Sequence, residues 1–307
     1  MEVFLDNGLR LVLNDSKIAR VIKSPQANGD VLIPDSIEYK SVTYRITNID
    51  DEAFKENQHI TAVLIPPTVK RIGKKAFYYC DILNTVIFTT SEISELREID
   101  DYAFFHCPNL LNFDPIPKTV KRIGKDAFYG CTGLESISFS FDLNAELEII
   151  DDGAFRACMN LKDVGPIPAN VKRIGNYTFY ACDNLEFIEI IDFIDYPSCL
   201  EEIGDKAFSR CSKLATISPL PKSVKVIGES CFEDAYQLSS IEIQSENITI
   251  KDKCFKGCLS LVRAVFPHSL EVNLGKLAFD GSSKNFSLEI PLGTKIGGKG
   301  ARQEKQF

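Results

Sequence analysis

Hydrophobic positions in this chain follow a period far longer than that of one helix or one strand. A small residue precedes a phenylalanine ten times, at Phe54, Phe77, Phe104, Phe128, Phe155, Phe179, Phe208, Phe232, Phe255 and Phe279. Around each Phe an aliphatic residue stands five positions earlier, usually a Cys three later, usually a Leu six later and often a β-branched residue nine later. Units of this length cannot each bury an apolar face alone, so they must stack. The Phe-to-Phe steps are 23, 27, 24, 27, 24, 29, 24, 23 and 24 residues, so short and long units alternate through the middle of the chain. The stretches IPPTVKRIGKKAFYYC from Ile65, IPKTVKRIGKDAFYGC from Ile116 and IPANVKRIGNYTFYAC from Ile167 make the larger two-unit period of about 51 plain.

Each unit also predicts its local elements. Val69, Ile72, Ala76, Phe77, Cys80 and Leu83 recur mostly at three- or four-residue steps, which suits helical turns on one side of a coil. Short β-branched or aromatic segments such as Ser136 to Phe139 and Phe187 to Ile190 read as strands with alternating inward and outward positions. Gly or Asp before Ala-Phe, as at Gly73, Asp100, Gly124 and Asp151, suits a left-handed turn or a helix cap. The fold expected is an α/β repeat: a solenoid of about ten stacked coils with short parallel strands and short helical turns. Residues 1–45 lack the repeat. Val3 to Leu13 around Asp6-Asn7-Gly8 reads as a β-hairpin, the start of an N-terminal cap, with a further turn at Asn28-Gly29. The organisation expected is a cap over 1–45, a solenoid over 46–290 and a basic C-terminal tail over 291–307.

The units resemble the BspA-like class of leucine-rich repeats, which read roughly Leu-x-x-Ile-x-Ile-Pro and then Val-x-x-Ile-Gly-x-x-Ala-Phe-x-x-Cys. The resemblance spans residues 46 to about 290. It implies a leucine-rich-repeat solenoid and a non-enzymatic protein-interaction module. Family members are associated with cell surfaces and with adhesion to host matrix proteins and cells.

Composition modifies this picture at a few points. Seven of the ten cysteines, Cys80, Cys107, Cys131, Cys158, Cys182, Cys211 and Cys258, share one repeat position, and Cys231 and Cys254 replace the Ala before Phe. They read as a ladder of small buried thiols rather than a disulfide framework. Cys199 alone lies outside it. No Cys-x-x-Cys pair is present, so no metal site is expected. Lys70-Arg71, Lys121-Arg122 and Lys172-Arg173 alternate along the stack with Arg97-Glu98, Glu148-Ile149 and Glu201-Glu202, so neighbouring coils place opposite charges side by side and fix register. A formal net charge of −8 and a pI near 5.1 without a basic face disfavour nucleic acid.

The three histidines are scattered and form no Ser/His/Asp arrangement. The tail text GTKIGGKG has Gly300 where a phosphate loop needs Ser or Thr. No catalytic, cofactor or metal residue is therefore expected. Partner binding is assigned to the outward strand positions Thr85, Asn112, Asp114, Ser136, Ser138, Phe187, Glu189, Thr216 and Ser218, with Phe187 as the aromatic anchor. Acidic residues in the extra segments of the longer units, Glu92, Asp142 and Asp195, complete the set. Pro115, Pro166 and Pro219 fall where other units place an inward strand residue, which predicts a sheet interrupted at alternate coils. The partner expected is a protein, either a host matrix or cell-surface protein bound by an adhesin or, alternatively, the client of an intracellular scaffold. The N-terminal residues lack a leader pattern and no apolar run is long enough to span a bilayer, so no membrane insertion is expected. The first feature favours the cytoplasm, whereas the resemblance implies the surface.

Overall fold

The computed structural model describes residues 1–89, 93–140 and 142–299. The chain winds into a β-solenoid whose coils each contribute one rung to two parallel ladders. The first ladder runs through Ile18–Ile22, Val42–Ile49, Arg71–Ile72, Glu98–Ile99, Arg122–Ile123, Ile149–Ile150, Arg173–Ile174, Glu202–Ile203, Val226–Ile227, Asn247–Ile250, Glu271–Leu274 and Lys295–Gly297. That makes twelve parallel rungs among the described residues, two more than the Phe repeat counts. The additional ones come from Ile18–Ile22 at one end and Lys295–Gly297 at the other. Glu2–Phe4 and Arg10–Leu13 continue this sheet antiparallel and close its first edge. Residues 295–297, read as tail from the sequence, instead pair with Glu271–Asn273, and positions from 300 onward lie outside the described residues.

The second ladder is broken into four sheets. They are Gly29–Leu32 with Ile60–Ile65, Thr85–Phe88 and Asn112–Phe113; Ser136–Ile137 with Asp163–Val164; Phe187–Ile188 with Thr216–Ile217; and Ser240–Glu242 with Arg263–Val265 and Ser287–Glu289. Each break follows a coil carrying Pro115, Pro166 or Pro219. Those prolines do not point inward: two are exposed and Pro166 is half-buried, and the next residues, Ile116, Ile167 and Leu220, take the buried position and bridge to Phe139, Ile190 and Ile243.

Between the ladders runs the phenylalanine column. From Phe54 to Phe279 successive rings stack with centroids 4.9 to 5.4 Å apart and planes within 12° of parallel. The separation follows from the spacing of parallel rungs, roughly 4.8 Å, with a slight offset that favours stacked rings.

The turns that hold these rings are not helical, and no α-helix occurs among the described residues. In every unit the residues two before and two after the Phe have positive φ, for example Lys75 at 55° and Tyr79 at 54°. With φ reversed at these two positions, four residues apart, alternate N–H groups point out of the coil. Lys75, Phe77 and Tyr79 donate to Asp101, Ala103 and Phe105 of the next coil, while Ala76, Tyr78 and Cys80 close local bonds three residues back. A left-handed conformation costs a non-Gly residue roughly 1 kcal/mol or more, and the inter-coil hydrogen bonds offset it. Glycine before the Ala-Phe pair has a different task. Gly73, Gly124 and Gly175 lack positive φ, and a Cβ at each would lie within 2.7 Å of the preceding coil's backbone, so they permit close coil contact.

The cysteine ladder also gains a reason. All nine ladder thiols are buried and free, and the seven at the shared position direct Sγ at the Phe carbonyl of the preceding coil, 3.0 to 3.2 Å away. Burial pushes the Cys80 thiol up to about 12, keeping it protonated as a donor. Where the ladder begins, Asn57 replaces Cys and its Nδ2 donates to Ala27 of the N-terminal segment.

Candidate protein-interaction surfaces

The described residues expected to bind a partner fall on two of the outer surfaces of this cross-section, the outward side of the second ladder and the segments that return the chain to the first ladder, while the first ladder carries the alternating charges. The first ladder's surface is electrostatically closed. Arg122 pairs with Glu98, Asp100, Asp101 and Asp151; Arg173 pairs with Asp151, Asp152 and Glu202; Arg71 pairs with Asp51 and Asp100. Lys172 to Glu148 at 2.7 Å and Lys225 to Glu201 at 2.9 Å extend the pattern. Burial opposes ionisation of Asp100, but the Asp101 N–H, Arg71 and Arg122 outweigh it and hold its pKa below the usual carboxylate range. The alternation of charge expected from the sequence is thus spent between coils, and little is left for a ligand.

The second ladder's surface carries the polar strand positions. Asn112 is the Cα partner of Thr85, and Thr216 that of Phe187, while Ser136 faces Asp163, a member of the same column that the strand reading had omitted. Asn112, Ser136, Phe187, Glu189 and Thr216 are exposed, whereas Thr85, Asp114, Ser138 and Ser218 are half-buried. Two of the half-buried residues already have work within the fold. Phe88 N–H donates to Asp114 Oδ2 at 2.9 Å and Ile190 N–H to Ser218 Oγ at 2.9 Å, so these side chains accept backbone donors of the preceding coil beside the proline kinks. Phe187 keeps 40% of its surface exposed, which suits an anchor.

In the return segments of the longer units, the acidic residues prove less available than their neighbours. Asp142 is held by Lys118 Nζ at 2.6 Å and by the Asn144 N–H, and this lowers its pKa to about 2. Asp195 is exposed, and Glu92 lies outside the described residues. What these segments present instead is apolar. Ile93, Leu143, Phe193 and Ile194 are exposed, recurring at the two-coil period, and Ile194 is fully so at 101%. Beneath the last of them is a recess of about 570 Å³ lined by Phe193, Ile194, Pro197, Lys222 and Ser223. The Ser223 hydroxyl is buried without a hydrogen-bond partner. The sequence signal was present in SEIS, DLN and DFI, one apolar residue or more inside each polar protrusion, but the carboxylates drew the assignment.

No group of three or more His, Cys, Asp or Glu residues is placed to hold a metal ion among the described residues. Nor is any described helix long and apolar enough to cross a membrane.

The family model described as the BspA type leucine-rich repeat region matches residues 47–186 and 189–299, with six copies. The chain belongs to the BspA-type leucine-rich repeat family. Among solved structures it is similar to a leucine-rich cell surface protein from Faecalibacterium prausnitzii, 22% identical, with a TM-score of 0.51 over all of this chain and 97% of that one. It is also similar to the T. pallidum leucine-rich repeat protein, 25% identical, with a TM-score of 0.56 over 68% of this chain and 89% of that one. These likenesses show the solenoid fold. A comparison with curated proteins finds no match.

Proposed function

We propose that this BspA-type solenoid is a non-enzymatic protein-binding module, displayed at the cell surface as an adhesin for host matrix or cell proteins. The observation that carries the reading is the row of exposed apolar side chains, Ile93, Leu143, Phe193 and Ile194, on the return segments. Stacked coils hold such tips roughly 10 Å apart along a rigid edge. Exposed apolar groups recurring in series at one place in the coil, the last of them beside a recess, mark an interaction site. Phe187 on the adjoining strand surface, flanked by Asn112, Ser136, Glu189 and Thr216, gives the same partner an aromatic anchor and a polar surround. Cell-surface display is supported by the Faecalibacterium relative, which is a cell surface protein.

An intracellular scaffold is the second reading, favoured by the exposed free thiol of Cys199. Protease shaving and immunofluorescence on intact cells separate the two. Capture of matrix proteins by the wild type, lost in Phe193→Ser/Ile194→Ser and weakened in Phe187→Ser with the melting temperature kept, would support the adhesin. Matrix capture undiminished in all of these variants overturns it.

A further inference from the structure

The turns that carry the Phe column have an outer surface that none of the assignments above uses. One residue after each core Phe, the side chains of successive coils form a second column: Tyr78, Phe105, Tyr129, Arg156 and Tyr180. Tyr78 stacks on Phe105 with centroids 4.9 Å apart, and Phe105 on Tyr129 at 4.6 Å. At the next coil the column changes from ring to guanidinium. The Arg156 guanidinium lies 5.3 to 5.5 Å from the ring centroids of Tyr129, Tyr177 and Tyr180. Lys75 and Lys206 sit over the flanking rings of Tyr78 and Tyr177 at 5.2 and 5.5 Å, and Arg210 donates to the Tyr180 hydroxyl.

The cations of this surface differ from the arginines of the first ladder. Arg71, Arg122 and Arg173 on the first ladder each pair with two or more carboxylates, whereas Lys75, Arg156, Lys206 and Arg210 form no ion pair among the described residues. In a chain of net charge −8, three cations held over tyrosine rings and Arg210 on the Tyr180 hydroxyl make a cationic strip, although Asp126 faces Arg156 and Asp183 and Asp234 lie near Arg210. A guanidinium lying on aromatic faces is immobilised while its N–H edge stays open to a bidentate carboxylate. The rings themselves use their faces on one another, so they offer edges and hydroxyls rather than platforms on which nucleobases could stack.

We propose that this aromatic and cationic strip docks an extended acidic protein segment. Arg156 and Arg210 are two coils apart, roughly 10 Å along the axis. Residues three apart on a polyproline II helix lie on one side at a spacing of about 9 Å, which matches that step, and the conformation is pre-extended, so little order is lost on docking along a straight column. The occupant is therefore an acidic proline-rich segment with a carboxylate at every third residue. The strip lies on the turns, across the coil from the return segments, so it constitutes a second docking surface independent of the apolar tips.

A fluorescein-labelled (Glu-Pro-Pro)6 peptide titrated with the full chain, read by anisotropy at low salt, tests the assignment. Saturable binding is expected, weakening as salt rises and absent for the (Gln-Pro-Pro)6 peptide. Loss of one charge-assisted contact predicts about a tenfold weaker Kd in Arg156→Gln, and loss of two predicts a fall of about a hundredfold in the double variant Lys206→Gln/Arg210→Gln. Arg156→Lys is expected to fall between, because it retains the charge but loses the fork. The chain has no Trp and ten Tyr, so quenching of tyrosine emission gives a second readout on the strip itself. Phe193→Ser/Ile194→Ser should leave this binding unchanged. Equal affinity for the Glu and Gln peptides, equal affinity for a dT15 oligonucleotide, or full binding by folded Arg156→Gln would each overturn the proposal.

Discussion

Phe128→Ala tests whether the ring column holds the solenoid together. The Phe128 side chain is fully buried, stacked between Phe104 at 5.2 Å and Phe155 at 5.1 Å, with the Phe113 ring edge-on at 5.0 Å. Transfer of a buried Phe side chain from water is worth about 1.5 to 3 kcal/mol. Removing roughly 100 Å³ adds about 2 kcal/mol at about 24 cal/mol per Å³ if the walls do not close. The rungs on either side are pinned by inter-coil hydrogen bonds through Phe128 N–H to Ala154 and Gly130 N–H to Arg156, so little collapse is available. The expected loss is therefore about 4 kcal/mol, within the range for Phe-to-Ala changes in cores.

Urea unfolding followed by far-ultraviolet circular dichroism measures it. Because stability in a stacked array depends on interfaces between neighbours, weakening one in the middle is also expected to lower the apparent m-value as the two halves uncouple. Phe187→Ala, on the exposed strand surface, is the matched control and should change stability by less than about 0.5 kcal/mol. A Phe128→Ala variant within about 1 kcal/mol of wild type, or a control that loses as much, would refute the reasoning.

Three further perturbations have definite expected outcomes. Native protein treated with a thiol reagent such as DTNB should react fast at one cysteine, Cys199, and at ten after unfolding, since nine thiols are buried; fast reaction of several in the native state would contradict the ladder. Arg122→Met removes the cation shared by Glu98, Asp100, Asp101 and Asp151 and should cost about 2 kcal/mol by chemical denaturation, less in high salt; an unchanged midpoint at low salt would show the network to be idle. Ion pairing or hydrogen bonding lowers the pKa of Glu95, Asp100, Asp142, Glu146, Glu148, Asp152 and Glu289, so their stabilisation is present above the unfolded value near 4 and is lost as pH falls through the lower folded values. Asp50 and Asp126, whose pKa burial raises, act in the opposite sense, stabilising at low pH and losing that contribution as pH rises through their folded values. The larger group dominates, and the melting temperature should fall on acidification below about pH 4; a flat profile down to pH 2 would contradict it.

The stacking, the register and the buried columns were legible because every repeat position reports the same environment ten times over. The turn conformation was not. Ala76, Phe77 and Cys80 have the spacing of a helical stripe, yet the same spacing arises in a turn that places left-handed residues four apart, at Lys75 and Tyr79. Most residues that adopt positive φ there, Lys75, Tyr102, Asp126, Tyr177 and Lys206 among them, are not glycines, and the few that are, Gly130, Gly153, Gly257 and Gly281, do not recur at one repeat position often enough to show it. What permits them is the chain of N–H donors to the next coil, a long-range property that no single unit displays. The outward columns could be read from strand alternation, but capture of the Phe88 and Ile190 N–H groups by Asp114 and Ser218 could not, since it depends on where Pro115 and Pro219 deflect the backbone.

The same distinction bears on recognition. Two sets of arginines look alike in the sequence, but their neighbours across coils differ. Arg71, Arg122 and Arg173 meet carboxylates two, three or four at a time and are consumed in holding register, which makes the first ladder a poor place to seek a ligand. Arg156 meets three tyrosine rings, which fix its position without cancelling its charge. Recognition is therefore sought where the inter-coil network is not. In this chain two such places are the exposed apolar tips on one side of the coil, which act on contact, and the tyrosine-held cations on the other, which also act at a distance. Separate variants in each can then show whether one partner spans both or two partners bind independently.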